Sequence, residues 1–181
     1  IVVLGAGPIG LGAIAGLIGR GIKNVVVVDR NDFRLAKAEA LGAKTINTTN
    51  NDLKEKLIEI FGVYPDYFPI PDVDMYIDAA GAPALLSEVF NYARHNTKYA
   101  IISVFGKVEL QGRPFIAAQP IIYGSQGYTH ETITEVIDHI EHKKTPIASM
   151  VTHKFKHDDI SKALEFAATG EGIKVVIDYE L

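Results

Sequence analysis

The chain has 181 residues, 48% of them apolar, which is enough to bury the core of one domain with an appended piece of a second. Its net charge of −4 argues against nucleic acid or an anionic membrane surface as the main partner, and no apolar run approaches the length of a membrane span. The absence of cysteine excludes disulfides, Cys-ligated metal sites and thiol catalysis, and it favours a reducing, cytoplasmic setting.

Short β-branched runs alternate with helical stretches along most of the chain. Six of these runs are predicted to be strands, and each is largely apolar: 1–4, 24–29, 43–47, 74–81 with its turn, 99–105 and 120–125. Apolar strands that alternate with helices indicate a parallel sheet covered on both faces. Six of them predict an α/β fold with a doubly wound parallel sheet, the Rossmann arrangement.

The intervening helices are predicted from apolar periodicity, capping residues and glycines: 9–19, 33–41, 53–61, 84–95 and 130–143. Asn31 or Asp32 is the expected N-cap of the second helix, and Gly42 is expected to end it. Residues 63–73 contain three prolines and are predicted to be a loop. The segment before the sixth strand is expected to be irregular or a hairpin.

The last part of the chain has a different pattern. A strand at 149–155, a helix at 158–169 and a strand at 173–181 are predicted there, and nothing in the sequence forces them into the main sheet. We therefore expect a boundary near Pro146, which divides the chain into residues 1–146 and a short helix–strand segment at 147–181.

Two histidines on the helix at 130–143 are a possible metal pair. His139 and His142 are three residues apart, but no third ligand is close in sequence. We interpret this stretch as a solvated helix face, and the basic run at 142–144 as a solvated helix end. No metal site is expected in this chain.

A glycine-rich turn follows the first strand. Gly5, Gly7 and Gly10 match the spacing G-x-G-x-x-G, and Asp29 ends the second strand 19 residues after Gly10. Gly5 permits the sharp turn, Gly7 leaves room for a pyrophosphate, and Gly10 lets the helix lie close to the strand. The phosphates would meet backbone N–H groups at the helix start, and Asp29 would accept hydrogen bonds from the adenosine ribose. Residues 1–146 are thus predicted to be a dinucleotide-binding domain.

The charge around Asp29 bears on the choice of cofactor. A carboxylate at this position repels a 2′-phosphate, which favours NAD over NADP. Arg30 follows directly and Arg34 lies one helical turn on, and either could weaken that preference.

Several stretches resemble the cofactor domain of the medium-chain, zinc-type alcohol and polyol dehydrogenases. The similarity is carried, in order, by "GAGPIGLGAIAGLIGRGIKNVVVVDRNDFRLAKAEALGA", "IDAAG", "IIYGSQGYTHETITEVIDHI" and "KALEFAATGEGIKVVIDY". Together they cover essentially the whole chain. "SVFGK" and "GSQGYT" are most similar to the butanediol, sorbitol and threonine dehydrogenase branch.

The resemblance implies further contacts with the cofactor. They are Pro8 and Ile9 at the pyrophosphate; Arg34 beside the adenosine ribose; Ala79 and Ala80 at the nicotinamide-side ribose; Ile102, Ser103 and Val104 in the nicotinamide pocket; Ser125 and Gln126 at the carboxamide; and Lys174 at the pyrophosphate.

The resemblance also implies a larger enzyme. Family members carry a substrate domain with catalytic zinc ligands before this domain, so zinc is expected in the full-length parent and not in this chain. The chain is expected to be an inactive part of an NAD-dependent dehydrogenase for a small alcohol or polyol. The sequence does not identify which alcohol or polyol is the substrate. A homo-oligomer paired through the sixth strand is expected. Two alternatives remain open: a stand-alone NAD-sensing module and an S-adenosylmethionine-dependent methyltransferase.

Overall fold

A six-stranded parallel sheet forms the centre of the molecule. The computed structural model describes residues 1–142 and 146–181. Its strands are β1 Val2–Leu4, β2 Val26–Asp29, β3 Lys44–Asn47, β4 Val63–Tyr64, β5 Ile70–Pro71, β6 Met75–Asp78, β7 Lys98–Ile101, β8 Ile121–Gly124, β9 Val151–Phe155 and β10 Lys174–Ile177. The main sheet has the order β3-β2-β1-β6-β7-β8 with every pair parallel, which confirms the predicted doubly wound fold.

Helices cover both faces of this sheet. They are α1 Pro8–Gly19, α2 Asp32–Ala40, α3 Leu53–Phe61, α4 Pro83–Asn91, α5 Arg113–Ala117, α6 His130–Glu141 and α7 Ile160–Thr169, with short 3₁₀ turns at Ile147–Met150 and His157–Asp159. None of the helices in the described part of the chain is long and apolar enough to cross a membrane.

The core has two layers because side chains alternate along each strand. Val2 and Leu4 of β1 pack in the cluster that contains residues of α3 and α4, whereas Val3 packs in the cluster on the side of α1 and α2. All three side chains are completely buried, and each such burial stabilises the fold by about 1.5–3 kcal/mol.

The predicted caps of α2 are confirmed, and α3 begins with a cap of the same kind. The Asn31 side chain accepts a hydrogen bond from the Arg34 N–H, and Asp52 does the same for Glu55. Gly42 follows α2 with a φ of 102°, as expected for a helix-ending glycine. Of the predicted helix at 130–143 and the basic run at 142–144, residues 143–145 lie outside the described part of the chain.

Three predictions about local structure were wrong in detail. The proline-rich loop at 63–73 contains the antiparallel pair β4 and β5, which tolerates Pro71 because a two-residue ribbon needs few N–H donors. The segment before β8 contains the short helix α5. The helix predicted at 84–95 ends at Asn91, and the residues after it turn into the core.

The expectation of a solvated face is confirmed for residues 140–142, which are exposed, but it was wrong for His139. His139 is only 7% exposed and lies against α1, so close that a β-carbon on Gly19 would come within 2.3 Å of its imidazole carbon Cε1. Arg20 of α1 and Glu135 of α6 form an ion pair at 2.6 Å beside it. The glycine leaves a recess on α1, and this recess accepts the histidine ring.

The C-terminal segment forms a second sheet that packs on the main one through Ile173 and Met150. Strands β9 and β10 pair in parallel as a separate two-stranded sheet, and α7 connects them. The sequence left open whether these strands join the main sheet, and the structure places them outside it. The boundary near Pro146 stays a prediction.

Candidate functional site

A cavity of about 500 Å³ lies at the carboxyl ends of the central strands. It is lined by residues from the ends of β1, β2, β3 and β6 and from the start of α4: Gly5, Gly7, Val28, Asp29, Arg30, Arg34, Thr48, Ala79, Ala80, Ala82, Ala84, Leu85 and Glu88. Strand β1 lies between β2 and β6, where the strand order reverses. In open parallel sheets, ligands bind in the crevice at this reversal.

The glycine turn is built by close packing at two positions. Gly5 has a φ of 93°, and a β-carbon there would lie 2.9 Å from the Ala80 Cα. A β-carbon on Gly10 would lie 1.9 Å from the Gly5 carbonyl oxygen, so only glycine lets α1 approach the turn. These contacts fix the start of α1 against the ends of β1 and β6.

Gly7 differs from its two neighbours in the motif. It is the N-cap of α1, with a φ of −72°, and nothing lies within 4 Å of a β-carbon built on it. No side chain of the described residues caps this helix, and Pro8 occupies its first position. The backbone N–H groups of the first turn therefore remain available to an anion, which the helix dipole also favours.

Asp29 connects the end of β2 to the glycine turn. Its Oδ2 accepts a hydrogen bond from the Ala6 N–H at 2.7 Å, and its Oδ1 accepts from the N–H groups of Arg30 and Asn31 at 2.7 and 2.9 Å. These bonds hold the carboxylate at the cavity wall. Because each carboxylate oxygen has two acceptor positions, Oδ2 can accept another hydrogen bond from a ligand hydroxyl.

Asp78 is a structural residue of the site that sequence reasoning missed. Its side chain is 2% exposed, and it accepts hydrogen bonds from the Ala80 and Gly81 N–H groups and from the Ser103 hydroxyl. These bonds join the turn after β6 to the residues after β7. An acid directly after an apolar strand, in "MYIDAAG", was the signal available in the sequence.

The cavity contains six of the predicted cofactor residues: Gly5, Gly7, Asp29, Arg34, Ala79 and Ala80. Gly10 lies behind the turn, in contact with Gly5. The lining residues absent from the prediction are Val28, Arg30, Thr48, Ala82, Ala84, Leu85 and Glu88. Those on α4 could have been found from their helical spacing after Pro83.

The other predicted residues do not line this cavity: Pro8, Ile9, Ile102, Ser103, Val104, Ser125, Gln126 and Lys174. The Ser103 hydroxyl donates to Asp78, and the Ser125 N–H donates to the Ile101 carbonyl, so neither hydrogen is available to a ligand acceptor. Val104 is almost fully exposed and Ile102 packs on the core. Lys174 lies in the separate C-terminal sheet.

Arg34 joins the cavity to the C-terminal segment. Its Nη2 donates a hydrogen bond to the Gly170 carbonyl at 2.7 Å, at the end of α7. The Nε of the same guanidinium is buried and has no partner among the described residues. This bond to the C-terminal segment competes with any contact that the guanidinium makes to a phosphate in the cavity.

Glu88 lies on the α4 wall of the cavity. Partial burial and, to a smaller extent, the nearby Asp52 carboxylate raise the pKa of Glu88. No hydrogen bond or ion pair to its carboxylate is found among residues 1–142 and 146–181. The cavity thus presents acceptors on both sides, Asp29 on β2 and Glu88 on α4.

The family model of zinc-binding dehydrogenases matches residues 8–142. The 5-exo-hydroxycamphor dehydrogenase of Pseudomonas putida is 27% identical over 190 residues, which cover 100% of this chain and 51% of that protein. The L-threonine 3-dehydrogenase of Paraburkholderia phytofirmans is 26% identical over 193 residues, which cover 99% and 51%. The chain thus spans about half the length of these relatives.

Two solved dehydrogenase structures are also similar to this chain, which covers about half of each. The short chain alcohol dehydrogenase of Escherichia coli CFT073, complexed with NADH, superposes with a TM-score of 0.81 at 27% identity, over 97% of this chain and 50% of that one. The 2R,3R-butanediol dehydrogenase of Bacillus subtilis has a TM-score of 0.81 at 23% identity, over 97% and 49%, and supports the fold alone.

Proposed function

This chain belongs to the zinc-binding dehydrogenase family, and on that premise we propose that its cavity binds NAD for a dehydrogenase that oxidises an alcohol or polyol to the carbonyl compound. The observation that carries the proposal is the cavity at the strand-order reversal, with an uncapped helix start at one end and Asp29 at its wall. A similar structure was solved with NADH. NAD supplies the hydride acceptor of such a reaction.

The residues of the chain fit this cofactor. The N–H groups at the start of α1 are placed to hold the diphosphate, and the unobstructed Gly7 leaves room for it. The Asp29 carboxylate accepts from the adenosine ribose hydroxyls and repels a 2′-phosphate, which favours NAD over NADP. The bond of Arg34 to Gly170 supports the same preference, because it engages one of the guanidinium donors that a 2′-phosphate could otherwise use.

Zinc does not fit the residues present. The chain has no cysteine, and the described residues contain no group of three or more His, Asp or Glu that could hold a metal ion. We therefore assign cofactor binding to this chain and no metal chemistry. We expect these 181 residues alone to bind NADH without oxidising alcohols.

The remaining proposed contacts, Ile102, Val104, Gln126 and Lys174 among them, stay predictions. The boundary near Pro146 and a cytoplasmic location also stay predictions.

Calorimetric titration separates this proposal from its two alternatives. We expect NADH to bind and S-adenosylmethionine not to bind, because the proposed site holds a diphosphate. Binding of S-adenosylmethionine alone would favour a methyltransferase. A stand-alone NAD-sensing module would also bind NADH, and it would be indicated if no coding sequence for a β-rich domain with zinc ligands precedes this one.

Replacement of Asp29 with serine is expected to weaken NADH binding about tenfold or more and to affect NADPH less. The variant loses the ribose acceptor and the charge that repels the 2′-phosphate. The ratio of NADH to NADPH dissociation constants, measured by fluorescence titration, reports the change. Asp158→Ser is the matched control, because the Asp158 side chain is fully exposed and far from the cavity lining. An unchanged ratio in Asp29→Ser would contradict the role given to Asp29.

We also propose that the protein forms a homodimer through β8. This strand is at one end of the main sheet, and Ile121, Ile122 and Tyr123 are each 39–48% exposed along it. An unpaired apolar edge of this kind favours pairing with another chain. Light scattering should give twice the monomer mass of 19.7 kDa, whereas a monomer at micromolar concentration would contradict the proposal.

A further inference from the structure

The cavity extends well beyond the glycine turn along α4. Ala82, Ala84, Leu85 and Glu88 line it in succession, and the six steps from the N-cap Ala82 to Glu88 correspond to about 9 Å of helix rise. Gly5 and Gly7 form the opposite end, where Gly5 faces Ala80. Glu88 therefore marks the end of the cavity that is distant from the phosphate-binding turn.

The carboxylate of Glu88 lies near the start of α3. Asp52, the N-cap of α3, is close enough to act electrostatically on it, and Thr48 lines the cavity just before that helix. This end of the cavity is thus enclosed by α4 on one side and by the residues after β2 and β3, including Arg30, on the other. The apolar atoms of Ala84 and Leu85 adjoin the carboxylate on the same helix face.

The groups at the Glu88 end of the cavity indicate which kind of ligand would bind there. The Glu88 carboxylate is exposed at the cavity wall and has no hydrogen-bond partner in the described residues, so it is an acceptor that a ligand donor can reach. The neighbouring apolar side chains suit a flat, weakly polar ring. In a dinucleotide held by its diphosphate at Gly7 and by its ribose at Asp29, the group that comes next along the molecule is the adenine base, and its exocyclic 6-amino group is a hydrogen-bond donor.

We propose that Glu88 is a specificity-determining residue that accepts a hydrogen bond from the 6-amino group of adenine. The proposal rests on the NAD site proposed above. A 6-oxopurine has an acceptor at the position of the amino group and carries its nearest donor at N1 instead, so a carboxylate placed to face the 6-amino group favours adenine over 6-oxopurines. This selection is independent of the choice between NAD and NADP, which depends on the ribose.

The test compares NADH with reduced nicotinamide hypoxanthine dinucleotide, which differs only at the base. Dissociation constants are measured by fluorescence titration for the unmodified chain, Glu88→Ala and Glu88→Gln. We expect the unmodified chain to prefer NADH about tenfold or more, as for a hydrogen bond to a charged group. In Glu88→Ala the two constants should become equal within about twofold. In Glu88→Gln the preference should also collapse, because the amide can turn either its oxygen or its NH₂ group to the base.

Glu55→Gln is the matched control. It removes the same charge from the neighbouring helix α3, on a side chain that does not line the cavity, so the adenine preference should remain. Thermal unfolding checks that the variants fold; Glu88→Gln should be at least as stable as the unmodified chain at neutral pH, because burial disfavours the ionised carboxylate.

The outcomes separate the two proposals. If the unmodified chain does not bind NADH, the proposed function fails. If it binds NADH but shows no base preference, or keeps the preference in Glu88→Ala, the NAD site stands and the role of Glu88 is overturned.

Discussion

Replacing Gly10 with alanine is expected to destabilise the fold by about 2–4 kcal/mol and to weaken NADH binding about 100-fold. The added methyl would lie 1.9 Å from the Gly5 carbonyl oxygen, which belongs to backbone and cannot rotate away. Either α1 moves off the sheet or the turn distorts, and both changes displace the N–H groups proposed to hold the diphosphate. Urea unfolding and NADH titration measure the two effects.

Gly12→Ala is the control for this experiment. Gly12 is in the same helix, and nothing lies within 4 Å of a β-carbon built on it. Alanine has the higher helix propensity, so this variant should gain about 0.5–1 kcal/mol of stability and bind NADH as before. Equal stability of the two variants would show that α1 does not depend on a close approach at Gly10.

Replacing Asp78 with alanine is expected to cost about 2–4 kcal/mol, because it removes the acceptor of three hydrogen bonds at a buried position. The Ala80 and Gly81 N–H groups and the Ser103 hydroxyl would lose their partner. The turn after β6 lines the cavity, so NADH binding should weaken as well. Urea unfolding measures the loss of stability, and NADH titration measures the loss of affinity.

Asp78→Asn distinguishes hydrogen bonding from packing at this site. The asparagine oxygen can still accept from the two N–H groups, while its NH₂ group can donate to the Ser103 hydroxyl, whose oxygen can act as an acceptor. We expect this variant to lose about 1 kcal/mol or less. If asparagine is as damaging as alanine, the three hydrogen bonds are not the reason for the loss.

The sequence was sufficient to predict the sheet and the glycine turn because both depend on local signals. Runs such as "VVVVD" are buried on both faces, and the spacing of Gly5, Gly7 and Gly10 encodes a contact between residues close in sequence. Glu88 and Asp78 were missed because their roles depend on residues far along the chain. Glu88 faces α3, and Asp78 bonds to Ser103 at the end of another strand.

Contacts with distant parts of the chain also explain why the surroundings of His139 and Arg34 differ from the prediction. His139 was predicted to be solvated because its neighbours in sequence are charged, yet the recess at Gly19, 120 residues earlier, buries it. Arg34 was predicted to lie beside the ribose, and it does line the cavity. Its bond to Gly170 depends on how the C-terminal segment docks, which local patterns do not reveal.

The central claim is that backbone N–H groups at the start of α1, beside Gly7, hold the diphosphate of a dinucleotide. The most direct test is the dissociation constant of NADH for Gly7→Ala, compared with the unmodified chain and Gly12→Ala. Alanine adopts the backbone angles of Gly7 without strain and meets no protein atom within 4 Å, so the fold should lose about 1 kcal/mol or less. Its methyl would occupy the phosphate position, and we predict at least a tenfold weaker affinity. NADH binding by Gly7→Ala as tight as by the unmodified chain would contradict the account.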